Sequence, residues 1–385
     1  MGYLGQFFVA VISLSQILNI AAAEETKSSE SCGFAAIFNF GDSNSDTGCM
    51  SAAFYPAALP YGQTFFHHAA GRASDGRLII DFIAKHLGLQ YLSAYMDSIG
   101  TSYEHGANFG AASSTIRRQN RTFFDGGSPF SLEIQVAQFT QFKTRTTKLY
   151  NQGQGNSFPR PEDFAKAIYT FDIGQNDIAA ALQRMGQENS QAVISDIVNQ
   201  FSNQLIHLYN QGARTFWIHN TGPIGCLPVA MPIHNAYNYT PVDGYLDQNG
   251  CVVYQNDMAK EFNTKLNDTV VKLRALYLDA SFVYVDIFSA KYELISNAKK
   301  EGKEDLLSHL KSVVGIMRVA ITFTVEITMP PLMEDKFMLA RVKILLHTLA
   351  GMACTTLTQQ MAGSLIALSL DRSRIHHFLL HVHAC

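Results

Sequence analysis

Short apolar segments bounded by turn residues recur through the first 300 residues, and longer amphipathic segments separate them. The apolar segments span residues 35–40, 167–173, 214–219 and 281–287, which is a typical length for buried strands. Between the second and the third, residues 191–211 carry apolar side chains at helical spacing. Strands that alternate with helices are typical of an α/β fold, in which helices cover both faces of a parallel sheet. The pattern therefore predicts such a sheet.

The composition is that of an ordinary folded protein. Of the 385 residues, 47% are hydrophobic and 16% are charged, and the net charge is −3. A chain this close to neutral does not attract the phosphate backbone of a nucleic acid or an anionic lipid surface, so we expect neither as a partner. Beyond the first 23 residues no run of about 20 apolar residues follows, and we expect no stable membrane span.

The N-terminal segment has the features of a signal peptide. Residues 1–23 contain an apolar stretch and end in the small residues Ala21–Ala23, which suit signal-peptidase cleavage. The segment lacks Lys and Arg, and the alternative is an N-terminal membrane anchor, but the apolar stretch is short for a span. We expect cleavage of residues 1–23 and secretion to the extracellular space or cell wall.

Glycosylation sequons and cysteines agree with an oxidising compartment. Sequons begin at Asn120, Asn238 and Asn267. The six cysteines include no pair with the spacing of a zinc or redox site. We predict one disulfide, between Cys226 and Cys251, which would close the loop between them. Free buried thiols are the alternative.

The segment NFGDSNSDTG, residues 39–48, follows the first apolar segment directly and contains Ser43. Functional groups of parallel sheets lie in loops at the carboxyl ends of the strands, where Gly174–Asp177 and Asn220–Pro223 also fall. A serine becomes a nucleophile only beside a base and oxyanion donors. Asp and Ser are also common in turns and helix caps, so Ser43 alone does not decide between catalysis and structure. The chain contains no GxSxG, which argues against an α/β-hydrolase elbow.

Further segments extend this motif into a pattern that covers most of the chain. They are GRASDGRLIIDFIAKHLGLQYLSAY (71–95), HGANFGAASSTIRRQN (105–120), SPFSLEIQVAQF (128–139), YTFDIGQNDI (169–178) and NTGPIGCLP (220–228). Together they resemble the plant GDSL esterase/lipases, a branch of the SGNH hydrolases, and in particular the early-nodulin-like esterases. The resemblance runs from about residue 32 to about residue 300.

The resemblance implies a fold, a reaction and a substrate class. The fold is a three-layer α/β/α domain of the SGNH, flavodoxin-like type over residues 32–300, with a parallel sheet. The reaction is two-step hydrolysis of a carboxylic ester, without a metal or an organic cofactor. The substrate would be a small-molecule ester or an acylated carbohydrate or lipid.

The resemblance also implies roles for three residues. Ser43 matches the nucleophile, and its own N–H would be one oxyanion donor. The side-chain amide of Asn176 would be a second donor. The third is a backbone N–H that usually belongs to a glycine, and Ser113 occupies that position. If the position needs a positive φ, the serine costs about 1 kcal/mol. The structural alternatives are that Asn176 caps a helix and that Ser113 lies in a turn.

The family's base is missing from this chain. It comes from a late Asp-x-x-His motif, and the chain contains no Asp-x-x-His. The composition also changes near residue 300, since the last tyrosine is Tyr292, the last asparagine is Asn297, and the final 85 residues contain six of the 12 methionines. We therefore expect an aberrant segment over residues 301–385 in place of the domain's final helix region.

The codons of this segment suggest its origin. If each codon's third base is joined to the next codon's first two, residues 347–364 can read His-Ile-Ser-Trp-Asp-Gly-Met-His-Tyr-Thr-His-Ala-Ala-Asn-Gly-Trp, which restores Asp-x-x-His. Our hypothesis is a one-nucleotide frameshift near codons 300–304. Such a chain would be a strongly impaired esterase. The alternative is a non-catalytic secreted glycoprotein that keeps the pocket for binding.

Overall fold

The computed structural model describes residues 33–119, 127–227, 230 and 244–300, of which residues 183–191 and 298–300 are described by their backbone alone. The signal peptide, the sequons at Asn120 and Asn238 and the segment 301–385 lie outside the described residues. The predictions made for them are therefore not addressed by the fold.

Five parallel strands form one sheet in the order β2-β1-β3-β4-β5. The strands are β1 (Ile37–Gly41), β2 (Gly106–Asn108), β3 (Ile168–Asp172), β4 (Thr215–His219) and β5 (Ser281–Val285). The α/β fold with a parallel sheet is confirmed, and four of the strands match the predicted apolar segments. The chain leaves β1 toward β2 on one side and then adds β3 on the other side. This reversal opens a crevice at the carboxyl ends of β1 and β3.

In the part of the chain that the structure describes, six α-helices connect and cover the strands. They are α1 (Cys49–Ala53), α2 (Ile79–His86), α3 (Leu132–Asn151), α4 (Gln175–Asn210), α5 (Val253–Leu276) and α6 (Ile287–Lys300). The helical pattern of residues 191–211 belongs to α4. Among the described residues, no helix combines the length and the apolar character that crossing a membrane requires.

The sheet is apolar on both faces, because helices pack on each of them. Phe38 and Phe40 of β1 point to one face, where they join Tyr169, Phe171 and side chains of α3, α4 and α5 in the main core. Ile37, the residue before Phe38, points to the opposite face and packs in a smaller cluster with residues of α2 and the segment before it. Side chains alternate between faces along a strand, so doubly covered strands appear as continuous apolar runs.

The structure contains the disulfide between Cys226 and Cys251, and both residues are buried. It connects the segment after β4 to the segment before α5. Among the described cysteines, Cys49 is a free thiol, and it is buried at the start of α1.

Candidate active site

Ser43 lies in a tight turn at the carboxyl end of β1. The turn is closed by a hydrogen bond from Ser45 N to Asp42 O of 3.1 Å, and Asp42 N donates to Asp172 O of β3 at 3.0 Å. Glycine is favoured at position 41, because a Cβ there would lie 2.8 Å from the backbone oxygen of Asp172 and 2.1 Å from Ser45 Oγ. Within the described chain, neither the N–H nor the hydroxyl of Ser43 has a hydrogen-bond partner. The Ser43 N–H is therefore available to a ligand.

A buried network of hydrogen-bonded side chains connects the Ser43 turn to the sheet. Asn39 Nδ2 donates to Asn108 Oδ1 at 2.7 Å, and Asn108 Nδ2 donates to Ser45 O at 2.6 Å. Thr170 Oγ1 completes the network by donating to Asn39 Oδ1 at 2.8 Å. Buried polar side chains with their hydrogen bonds made rigidify the segments they join. The network therefore holds the Ser43 turn against β1, β2 and β3.

Ser113 lies in a second turn, beside the first. Ser114 N donates to Ala111 O at 3.2 Å, and Ala112 N donates to Asp46 Oδ2 at 2.8 Å. The other oxygen of Asp46 accepts the N–H of Cys49 at 2.6 Å, so one carboxylate ties this turn to the helix that follows Ser43. Ser113 has a φ of 62°, the left-handed conformation that glycine adopts without cost.

Asn176 connects the two turns from the first turn of α4. Its Nδ2 donates to Ser114 O at 2.9 Å and to Asp42 Oδ2 at 3.3 Å. The N-cap residue of α4 is Gly174, two positions before Asn176. The capping interpretation of Asn176 therefore does not describe this side chain. The fold instead brings the neighbours of Ser43, Ser113 and Asn176 together at the crevice between β1 and β3.

A sequence model of the family described as GDSL-like Lipase/Acylhydrolase matches residues 37–314. The chain belongs to this family. It is 56% identical over 276 residues to a GDSL esterase/lipase of Arabidopsis thaliana, covering 70% of this chain and 70% of the relative. It is 47% identical over 298 residues to an esterase of Hevea brasiliensis, covering 76% of this chain and 74% of the relative.

The similarity to an early-nodulin relative supports the branch of the family that the motifs indicated. The chain is 40% identical over 311 residues to the GDSL esterase/lipase ENOD8 of Medicago truncatula, covering 77% of this chain and 79% of the relative. The resemblance to the plant GDSL esterase/lipases is confirmed. By family, the chain is a hydrolase that acts on ester bonds.

The positive φ of Ser113 has a measurable cost, because glycine adopts this conformation without strain and serine does not. We expect Ser113→Gly to raise the free energy of unfolding by about 0.5–1 kcal/mol, because relief of left-handed strain outweighs the greater freedom of glycine in the unfolded chain. Urea unfolding measures the difference. Ser113→Ala keeps the Cβ and is the matched control, for which no gain is expected. An equal gain in both variants would contradict this explanation.

Asp177 follows Asn176 and clamps the segment after the Ser113 turn. Its Oδ2 accepts the N–H of Ile116 at 2.8 Å and its Oδ1 accepts that of Arg117 at 3.0 Å. Burial raises the pKa of Asp177 to about 7, although these hydrogen bonds oppose the shift. The folded protein therefore binds this proton more tightly than the unfolded chain does.

The Asp177 carboxyl makes the stability of the GDSL domain depend on pH. Because its pKa is higher in the folded state, its stabilising contribution is complete below about pH 4 and is lost as the pH rises to about 7. Asp177→Asn cannot titrate. We expect the unfolding free energy of the parent, minus that of the variant, to fall by on the order of 3 kcal/mol between these pH values. Urea unfolding across the range measures it, and a constant difference would contradict the assignment.

A buried histidine–aspartate pair lies at the same edge of the sheet and was not expected from the sequence. His219 Nδ1 is 3.2 Å from Asp172 Oδ2, and Trp217 Nε1 donates to His219 Nε2 at 2.8 Å. An indole nitrogen only donates, so Nε2 accepts and Nδ1 carries the proton given to Asp172. Both ring nitrogens are engaged, and this His219 ring does not offer a free base to Ser43. The available signal was that Asp172 and His219 end adjacent strands.

The two carboxyls beside Ser43 differ in proton affinity. Burial raises the pKa of Asp42 well above its usual range, and the Asp172 carboxylate raises it further. Burial would also raise the pKa of Asp172, but hydrogen bonds from His219 and Asn44, with the charge of Lys291, bring it below its ordinary value. As the pH rises, Asp172 therefore loses its proton before Asp42 does. The described residues contain no group of three or more His, Cys, Asp or Glu that would hold a metal.

Proposed function

We propose that this chain descends from a secreted GDSL esterase in which Ser43 attacks the acyl carbon of an ester. The oxyanion that forms would be held by three donors, the N–H groups of Ser43 and Ser113 and the side-chain amide of Asn176. The alcohol leaves, and water then hydrolyses the acyl-enzyme to release the acid. The observation that carries the proposal is the Asn176 amide, which lies between the Ser43 turn and the Ser113 turn.

The geometry supports one rearrangement during the reaction. Asn176 Nδ2 has two hydrogens, and the one directed at Asp42 makes the longer contact, 3.3 Å against 2.9 Å to Ser114 O. During the reaction, the hydrogen in this weaker contact would leave Asp42 and bind the substrate oxyanion instead. The bond to Ser114 O would keep the amide oriented meanwhile.

We propose that catalysis in the present chain is strongly impaired, because no positioned histidine takes the proton of Ser43. The supporting observations are that the chain lacks Asp-x-x-His and that the family match ends at residue 314. The domain would then comprise residues 32–300, with an out-of-frame segment at 301–385. Oxyanion donors and substrate binding alone leave about 10³- to 10⁴-fold acceleration over water.

Secretion belongs to the same proposal and is supported by the N-terminal sequence and the sequons. Asn267 is exposed on α5, where a glycan would meet no buried side chain. The substrate class that fits the family is a small-molecule ester. A non-catalytic glycoprotein that retains the crevice for binding is the alternative.

Hydrolysis of p-nitrophenyl acetate tests the impairment. We expect the present chain to hydrolyse it at least about 10⁴-fold more slowly than the 56% identical Arabidopsis relative assayed in parallel. A rate equal to that of the relative would contradict the proposal, since a complete proton-transfer system would then have to exist in this chain. A rate indistinguishable from buffer would favour the binding glycoprotein.

A further inference from the structure

We propose that Gln135 is a positioning residue that holds the Ser43 turn in register with the oxyanion donors. This rests on the proposed function of the same site. Gln135 lies in the first turn of α3 and is completely buried. It belongs to a helix that supplies no reacting group, and its side chain reaches the end of β1.

Gln135 completes the hydrogen bonding of Gly41, the last residue of β1. Strand β2 ends at Asn108 and pairs only with the first three residues of β1. Beyond that pairing, Gly41 N donates to Gln135 Oε1 at 2.9 Å, and Gln135 Nε2 donates to Gly41 O at 2.8 Å. The Gly41 carbonyl also accepts the N–H of Ala111 at 3.1 Å, so Gln135 supplies the acceptor for Gly41 N and a second donor for Gly41 O. The end of β1 is thereby held by a side chain of α3 as well as by the segment that follows β2.

The same amide links this strand end to the second turn. Gln135 Nε2 also donates to Phe130 O at 3.0 Å, and Ser114 Oγ donates to that carbonyl at 2.7 Å. Ser114 O in turn accepts the amide of Asn176. A continuous set of hydrogen bonds therefore runs from Gly41, two residues before Ser43, through Gln135 to the residue that follows Ser113.

Replacement of the amide should misplace the nucleophile without removing a substrate contact. The Gln135→Met variant keeps the length of the side chain and loses its hydrogen bonds. We expect kcat for p-nitrophenyl acetate to fall about 10- to 100-fold below that of the parent chain, with KM changed less than about twofold, because small displacements affect the transition state most. The residual rate of the parent chain is far enough above the uncatalysed rate for this decrease to be measured. Equal kcat values in variant and parent would overturn the proposal.

Gln135→Glu supplies a rescue that a merely structural role would not give. A buried glutamic acid is isosteric with glutamine and donates an O–H when it is protonated, whereas its carboxylate would face the carbonyls of Gly41 and Phe130. We expect kcat of Gln135→Glu, relative to the parent at the same pH, to recover from about pH 8 to about pH 5. Gln135→Met should show no such recovery. Equal ratios at both pH values for Gln135→Glu would count against the amide as the acting group.

Amide hydrogen exchange decides the question independently of activity. Gln135→Met should speed exchange in peptides covering residues 40–46 and 111–115. The matched control is Thr146→Val, a buried residue of α3 whose hydroxyl bonds only within its helix. Faster exchange in both segments for Gln135→Met alone supports the proposal, and equal exchange in the two variants overturns it. If the parent shows no hydrolysis above buffer, the proposed function fails while the exchange result still decides the role of Gln135.

Discussion

Insertion of one nucleotide within codons 300–304 is expected to raise kcat for p-nitrophenyl acetate by about 10⁴- to 10⁶-fold over the present chain. The insertion changes the reading phase so that residues 347–364 are replaced by the segment containing Trp-Asp-Gly-Met-His-Tyr. That segment supplies a histidine to take the Ser43 proton and an aspartate to orient it. The gain in kcat is large because a serine hydroxyl without its general base is a weak nucleophile.

Two changes in the repaired chain distinguish restored chemistry from better folding. Replacement of the restored histidine by alanine should return kcat to the level of the present chain. Ser43→Ala in the repaired chain should have an effect of the same size, because residues that act as a unit are not additive. A repaired chain that folds but gains less than about tenfold would show that the missing motif is not what limits this protein.

In the repaired chain, Asn176→Ala is expected to lower kcat by about 10²- to 10³-fold, with a much smaller change in KM. The amide would donate to the oxyanion only as negative charge develops, so its loss affects the transition state more than substrate binding. Asn176→Asp should be worse than Asn176→Ala, because a carboxylate in that place repels the oxyanion. Steady-state kinetics of the two variants measures both effects.

The control for this substitution is Asn256→Ala. Asn256 is also a buried asparagine, but its amide bonds Gly225 N and Cys226 Sγ, beside the disulfide. Its loss should reduce stability and leave kcat of the folded protein unchanged. If Asn176→Ala stays within about threefold of the repaired parent, Asn176 is not an oxyanion donor.

The sequence predicted those parts of the fold that depend on local patterns. Strands β1 and β3 are buried along their whole length, and β4 and β5 are buried in part, so each appeared as an apolar run. Strand β2 was not predicted, because Gly106–Asn108 is only three residues long and offers no pattern. The segments that contain Ser43 and Asn176 were expected at strand ends, where parallel sheets collect polar groups, and the resemblance to the GDSL family supplied the roles of the two residues.

The contacts that organise the site were not visible in the sequence. Gln135 is 94 residues from Gly41, and His219 is 47 residues from Asp172. The contact of His219 depends on which strand ends become neighbours, and the contact of Gln135 depends on where α3 packs against β1. Both are set by the packing of the whole domain. The positive φ of Ser113 was anticipated only as a condition, because a Ser-rich stretch such as AASST does not specify which residue occupies the third position of a turn.

The proposed mechanism makes Ser43 the nucleophile, presented at the carboxyl end of β1 to converging hydrogen-bond donors. Site-mapped labelling with a fluorophosphonate tests it most directly, because the probe reacts only with an activated serine. We expect a single adduct on Ser43 in the repaired chain, formed at least about 10³-fold faster than in the present chain. An adduct on another serine, or no adduct in a folded repaired chain, would contradict it.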